Sequence, residues 1–392
     1  MGFLNVNGRA AGVGVGVGVG ALLAWWAWRR HHQSDTPASL LCFFLPSFHL
    51  HHVFRHFFLP SLLPPACFPS LLYLCFTPSL PRCRWEEVGE VSELVIYPLK
   101  SGRGIKVTEA EATRYGLAVD YLEDRSFMAV NKEGKFLTGR QLPKLTTVVM
   151  TLSGTKVSLE APGAERLELD LKDVTRAAKV TDAVVFNADV RGFDCGDKAA
   201  AWLNSAVNDG VVEGCIRLLY HGNLTRERKA REPAFYSFPQ YKASDRVLYA
   251  DTCAFMLTSE TSLADLNDRL ERPVTLDWFR SNIVVRGVTQ PYDEDDYAFV
   301  RIGDVVFRRL KPCDRCIFTN VDPESGKKCE DGEPINTLKK YRHVEGPEKL
   351  QRTWAQKPVF GLHLGIDTYG KVHVGDKVEV ARASSNSRWK FQ

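Results

Sequence analysis

The chain has 392 residues, 44% of them apolar and 25% charged, with a net charge of +4, which suits about two domains at ~100–200 residues each. Six arginines and a single acid fall in residues 1–84, leaving the remainder close to neutral, so the concentrated basic face of a nucleic-acid binder is excluded. Ten cysteines in so long a chain, with no cleavable secretory signal ahead of them, read as reduced thiols facing the cytosol rather than as a disulfide framework.

The first element is an uncharged apolar run at 10–28, close to the roughly 20 residues that a bilayer-spanning helix needs. Its alternating Gly and Val suit lipid better than water, and Gly12, Gly16 and Gly20 form a small-residue stripe. Trp25, Trp26 and Trp28 stand where an interfacial belt belongs, and Arg29 and Arg30 follow, placing the C-terminal body on the cytosolic side. Residues 34–84 are rich in Leu, Phe, Pro and His without a sustained period. Their prolines prevent a long helix or a central strand. The segment reads as disordered or as a gene-model artefact. His49, His51, His52 and His56 have no acids or spaced cysteines to make them a metal site.

From Trp85 the texture becomes globular. A strand is predicted at 88–99, a hairpin at 127–141 around Lys132-Glu133-Gly134, and another at 148–159 turning at Ser153-Gly154. Short helices follow at 197–207, with Asp197 as N-cap, and at 262–270, with Ser262 and Asp265 at capping-box spacing. Later strands are expected at 282–286, 300–309 and 371–381. Many short strands and few helices predict a mainly β (α+β) chain built on β-barrel-like domains rather than a doubly wound sheet.

No G-x-S-x-G elbow and no H-E-x-x-H occurs, so serine-hydrolase and zinc-protease readings lack their parts. Cysteine remains, in K-P-C-D-R-C at 311–316. Three readings compete. Cys313, Cys316, Cys329 and His343 give a tolerable structural-zinc spacing. Cys313 and Cys316 form a C-x-x-C pair, although C-I-F-T-N-V after it looks extended where a redox dithiol opens a helix. The third is a soft thiolate on a transition metal, with Lys311 and Arg315 favouring its ionised form. Cys195 and Cys215 read as buried small hydrophobes and Cys329 as a loop residue.

The segment K-P-C-D-R-C-I-F-T-N-V-D-P-E-S-G resembles the signature of MOSC domains, and the body from about 88 to 380 is similar to the mitochondrial amidoxime-reducing component family. Supporting blocks are Y-P-L-K-S-G-R-G (97–104), D-R-S-F-M-A-V (124–130), T-G-R-Q-L-P-K-L (138–145), S-E-T-S-L-A-D-L-N-D-R-L (259–270) and F-R-S-N-I-V (279–284). The resemblance implies molybdenum cofactor, with Cys316 as the metal ligand. It also implies phosphate partners in Lys100, Ser101 and Arg125, and cofactor surroundings in Thr252, Cys253, Arg280, Asn282, Asp314 and Arg315. Asp251 matches a carboxylate near the metal, here expected to handle protons. Such residue types suit a phosphate, since Arg binds it bidentately. Two departures stand out: Cys253 where relatives often carry serine, and Ser281 for a usual proline.

The expected organisation is a membrane anchor at 1–33, the insert at 34–84, an N-terminal MOSC-associated β-barrel-like domain at 85–200, a MOSC β-barrel domain at 201–385 and a tail at 386–392. The implied activity is reduction of small N-hydroxylated compounds (amidoximes, hydroxamic acids, N-hydroxyguanidines, with nitrite as an extension). Electrons are expected from NADH through cytochrome b5 reductase and cytochrome b5, at the outer mitochondrial membrane with the body facing the cytosol. The rivals are a cofactor carrier or sulfur-handling protein, and a non-catalytic, zinc-stabilised membrane adaptor.

Overall fold

The computed structural model describes residues 84–222, 224, 228–230, 240–345, 357–383 and 390–391, all within the unit Pro81–Gln392. The proposed anchor at 1–33 and all but the last residue of the insert lie outside the described residues. Among the described residues no helix is long and apolar enough to cross a membrane.

The expected mainly β architecture is what forms, around a closed barrel. Its seven strands, labelled in chain order, are β1 (Glu86–Ile96), β2 (Phe255–Ser259), β3 (Ile283–Arg286), β4 (Tyr297–Ile302), β5 (Val305–Asp314), β6 (Val359–Thr368) and β7 (Lys377–Arg382). Around the ring the order is β1, β3, β2, β6, β5, β4, β7 and back to β1. Closure leaves none of these seven strands with a bare edge. Inward-facing Val91, Phe255, Ile283, Phe307, Leu364 and Val380 fill the interior, following the period-2 alternation of strands. β1 closes the ring by pairing with residues almost 200 and 290 positions further on, Glu90 with Arg286 and Lys377. The segment 85–200 therefore donates its first strand to the barrel of the later segment.

Only β2 and β3 run parallel, which demands a crossover. Helix α3 (Glu260–Asn267) supplies it. Two helices precede it, the shorter α1 (Leu171–Arg176) and the longer α2 (Gly196–Val207). A second core, including Phe127, Leu145, Leu159 and Leu203, lies between α2 and two open sheets of four and three strands.

The hairpin expected at 148–159 forms as Val149–Ser153 against Lys156–Glu160. The one at 127–141 forms only in part: Phe127–Val130 is a strand, but its return arm makes isolated bridges, Val130 with Phe136 and Lys135 with Val184. Two caps are displaced. Asp197 sits inside the first turn of α2 and binds Arg217 at 2.6 Å, while Cys195 is the N-cap. In α3 the cap is Ser259, whose Oγ accepts from the Ser262 N–H at 3.1 Å. β2 ends at Ser259, and the helix starts directly from it. Cys195 is buried as expected, whereas Cys215 is exposed.

Candidate functional site

The site gathers at the barrel rim where four loops, carrying Lys100, Arg125, Asp251 and Arg280, meet the end of β5. The loop after β1 is pinned by backbone bonds, Lys100 N to Phe127 O at 2.8 Å and Arg103 N to Val148 O at 2.9 Å. Ser101, Arg125 and Arg280 all hold left-handed backbone, at φ 67°, 53° and 58°. Such conformations cost about 1–3 kcal/mol apiece in residues other than glycine, and persist where their surroundings enforce them. β5 reaches the rim irregularly. Its register with β6 shifts between Arg309 and Lys311 and again between Pro312 and Asp314. Bulges of this kind re-aim side chains and admit a proline within a strand.

One cleft of about 240 Å3 is lined by all eleven residues expected at the site: Lys100, Ser101, Arg125, Asp251, Thr252, Cys253, Arg280, Asn282, Asp314, Arg315 and Cys316. Within it they do different things. Lys100, 4% exposed at the side chain, donates to Tyr249 O at 2.8 Å and pairs with Asp251, which is 59% exposed. Burial pushes the Lys100 ammonium down to about 8, against the pull of Asp251. For Asp251, the surrounding protein disfavours charge, but Lys100 outweighs this and holds the carboxyl below its usual range.

Two guanidinium groups pack on the Tyr97 ring, Arg125 at 4.6 Å and Arg280 at 4.3 Å from its centroid. This cation–π arrangement holds like charges near one another. Arg125 is neutralised by its ion pair with buried Asp124. Arg280 has no such partner among the described residues. Its Nη1 donates to Gly102 O at 2.5 Å, and its Nη2 is buried without a hydrogen-bond partner. Burial, then Arg125, pushes its pKa down to about 10. A cationic donor buried without a partner is costly unless an anion completes it, so this end of the cleft fits a phosphate-bearing group.

Asn282 and Arg315 line the cleft but give their polar atoms to the protein. The Asn282 amide donates to Val95 O at 3.1 Å and to Asp124 at 2.9 Å, and accepts from Met256 N at 3.2 Å. Arg315 donates from Nε and Nη2 to Phe360 O at 3.0 and 2.7 Å and from Nη1 to Phe279 O at 2.8 Å. Both position neighbouring groups. Asp314 is bound by Lys311 at 2.5 Å and Lys357 at 3.2 Å. The cleft disfavours its charge, but Lys311 and then Lys357 hold it well below the carboxylate range.

The two thiols of C-x-x-C part company. Cys313 is 5% exposed inside an apolar cluster with Leu266, Phe279 and Phe360. Burial raises its pKa despite Arg315 and Lys311. Cys316 is half-buried on the cleft wall and begins a 3-10 turn, Ile317–Asn320. The extended run expected after Cys316 is thus a helical turn. The charges expected to serve the Cys316 thiol are engaged elsewhere, Lys311 with Asp314 and Arg315 with carbonyls. Cys253 is buried, donates to Phe255 O at 3.1 Å, and has its pKa raised by burial. Among the described residues no group of three or more Cys, His, Asp or Glu side chains is placed to hold a metal, so Cys313, Cys316, Cys329 and His343 do not form the zinc set considered.

Residues that sequence reasoning did not assign also line the cleft, notably Thr138, Arg140, Phe318, Lys357 and His363. The T-G-R-Q block carried a signal for two of them. A Cβ on Gly139 would stand 2.0 Å from the Phe318 ring, so only glycine lets the turn after Cys316 pack there. Lys357 and His363 lie in no motif.

A barrel closed by an N-terminal strand, with a cationic cleft and one accessible thiol at its rim, defines a two-segment MOSC protein. Residues 88–209 match the MOSC N-terminal beta barrel domain and 244–379 the MOSC domain. Mitochondrial amidoxime reducing component 2 of Bos taurus is 38% identical over 297 residues, 76% of this chain and 84% of that protein. Mitochondrial amidoxime-reducing component 1 of Homo sapiens is 36% identical over 301 residues, 77% and 86% of the two chains, and that of Danio rerio 35% over 291, 74% and 84%. The chain belongs to the mitochondrial amidoxime-reducing component family.

Proposed function

We propose that the protein is a molybdenum-cofactor-dependent reductase of N-hydroxylated compounds. The observation that carries this is the cleft itself: one accessible thiol, Cys316, shares it with a half-buried cation, Arg280, whose buried Nη2 has no partner among the described residues. Arg280, Lys100 and Ser101 would hold the pterin phosphate, Arg125 and Thr252 would flank it, and Cys316 would be the metal ligand. The bound cofactor would supply two-electron oxygen-atom chemistry. In balance, an amidoxime takes up two electrons and two protons, its N–O bond breaks, and amidine and water leave.

The chain's own residues bind, orient and handle protons. Asp251 is ionised and faces the cleft, while Lys100 holds a proton beside it at neutral pH. Asp124 and Asn282 fix Arg125, and Arg315 ties the turn that presents Cys316 to β6 and to the residue before Arg280. Hydroxamic acids, N-hydroxyguanidines and nitrite are further candidate substrates. By family resemblance the electrons come from cytochrome b5 and its NADH-dependent reductase. The relatives are named mitochondrial, and the apolar run at 10–28 suits an anchor in the outer membrane, with the body facing the cytosol.

The test is benzamidoxime reduction by the full-length protein with cytochrome b5, its reductase and NADH. Wild type should form benzamidine, Cys316→Ala should not, and Asp251→Asn should slow turnover with cofactor retained. Cofactor held without turnover would instead favour the carrier reading.

A further inference from the structure

A second cleft, of about 470 Å3, adjoins the first, because Arg140, Arg315, Cys316 and Lys357 line both. Ile317, Ile335, Lys339, His343 and Pro358 complete its wall, and no carboxylate is among them. Among the described residues its positive charge is poorly compensated. Lys357 meets Asp314 at 3.2 Å, but that carboxylate already holds Lys311. Arg315 gives its donors to carbonyls and keeps its charge. Lys339 and Arg140 have no ion pair with a described carboxylate. Charges gathered around a concave, partly desolvated surface focus their field on whatever enters it.

The wall is also apolar where it meets the thiol. Ile317 follows Cys316 directly and is 65% exposed, with buried Ile335 and Pro358 in the same cleft. A single exposed isoleucine on an open surface would mean little. Here it shares one cleft with Cys316, the proposed metal ligand, and with Arg140, Lys339 and Lys357.

We infer that this outer cleft seats the distal end of the substrate and selects N-hydroxylated compounds whose apolar body ends in a carboxylate. The inference rests on the reductase reading and narrows it to a substrate class. The N–O group lies at the Cys316 side, the body against Ile317, and the carboxylate in the field of Lys339, Lys357 and Arg140.

The test compares benzamidoxime with 4-carboxybenzamidoxime on the full-length protein, wild type and Lys339→Gln. Lys339 is exposed and caps a single helical turn, Ile335–Leu338, so glutamine keeps the fold. In wild type the carboxylated substrate should show a KM lower by about tenfold. That ratio should shrink by about threefold or more in Lys339→Gln, and also as salt rises from about 0.02 to 0.3 M. Calorimetric binding of benzamide and 4-carboxybenzamide, which needs no turnover, should rank the two in the same way. Equal KM values in wild type, or a ratio that Lys339→Gln leaves untouched, overturn the inference. Failure to reduce either substrate, while the carboxylated amide still binds in a Lys339-dependent way, sinks the reductase reading and leaves the anion cleft standing.

Discussion

In the cleft wall Arg280 lies against the face of Tyr97 with one guanidinium nitrogen unmatched among the described residues. Nearby in the same wall, Arg315 commits Nε, Nη1 and Nη2 to the carbonyls of Phe279 and Phe360. Both are arginines at a barrel rim, and both were expected to surround one cofactor. The contrast teaches that charge alone does not make a ligand-binding residue. What matters is whether its donors remain available once the protein has satisfied its own acceptors.

The largest effect should come from breaking the satisfied side. Arg315→Met keeps bulk but strands two buried carbonyls, and should lower unfolding free energy by about 2–4 kcal/mol; urea denaturation reads this.

Arg280→Lys sharpens the other side. It keeps charge but loses the fork that recognises phosphate, so cofactor affinity should fall by about tenfold, with the urea midpoint little changed. Equal stability losses in Arg280→Lys and Arg315→Met would erase the distinction.

A pH series separates binding from folding at Lys100. Its ammonium is pushed down to about 8 by burial, so anion binding to the cofactor-free protein should weaken as pH rises through 8, by up to about tenfold per unit. Stability should move the other way. Between about pH 8 and 10.5 the unfolded chain binds more protons at this group than the folded one, so stability contributed by Lys100 rises with pH. Lys100→Met should flatten both limbs, read by pyrophosphate calorimetry and by urea midpoints.

The smallest effect is expected of Cys313→Ala. It removes a sulfur from an apolar cluster and should cost about 1 kcal/mol, leaving metal content intact.

Much of the site was legible because its residues sit in short blocks whose order along the chain is itself specific. Lys100, Ser101, Arg125, Arg280 and Cys316 were assigned from those blocks, and the fold brings them to one cleft. What was illegible depends on direction rather than identity. Register shifts near the end of β5 turn Cys313 into the core and leave Cys316 on the cleft wall, and no local pattern states this. Closure of the barrel by β1 pairs residues nearly 300 apart, beyond the reach of periodicity. The cap of α3 was placed three residues late because Ser259 and Ser262 are equally good caps on paper. The strand end selects Ser259.

The most direct test is elemental analysis of the purified full-length protein beside Cys316→Ala and Cys313→Ala. About one molybdenum per chain is expected in wild type and Cys313→Ala, and none in Cys316→Ala. Zinc in place of molybdenum, or molybdenum that survives loss of Cys316, would contradict this.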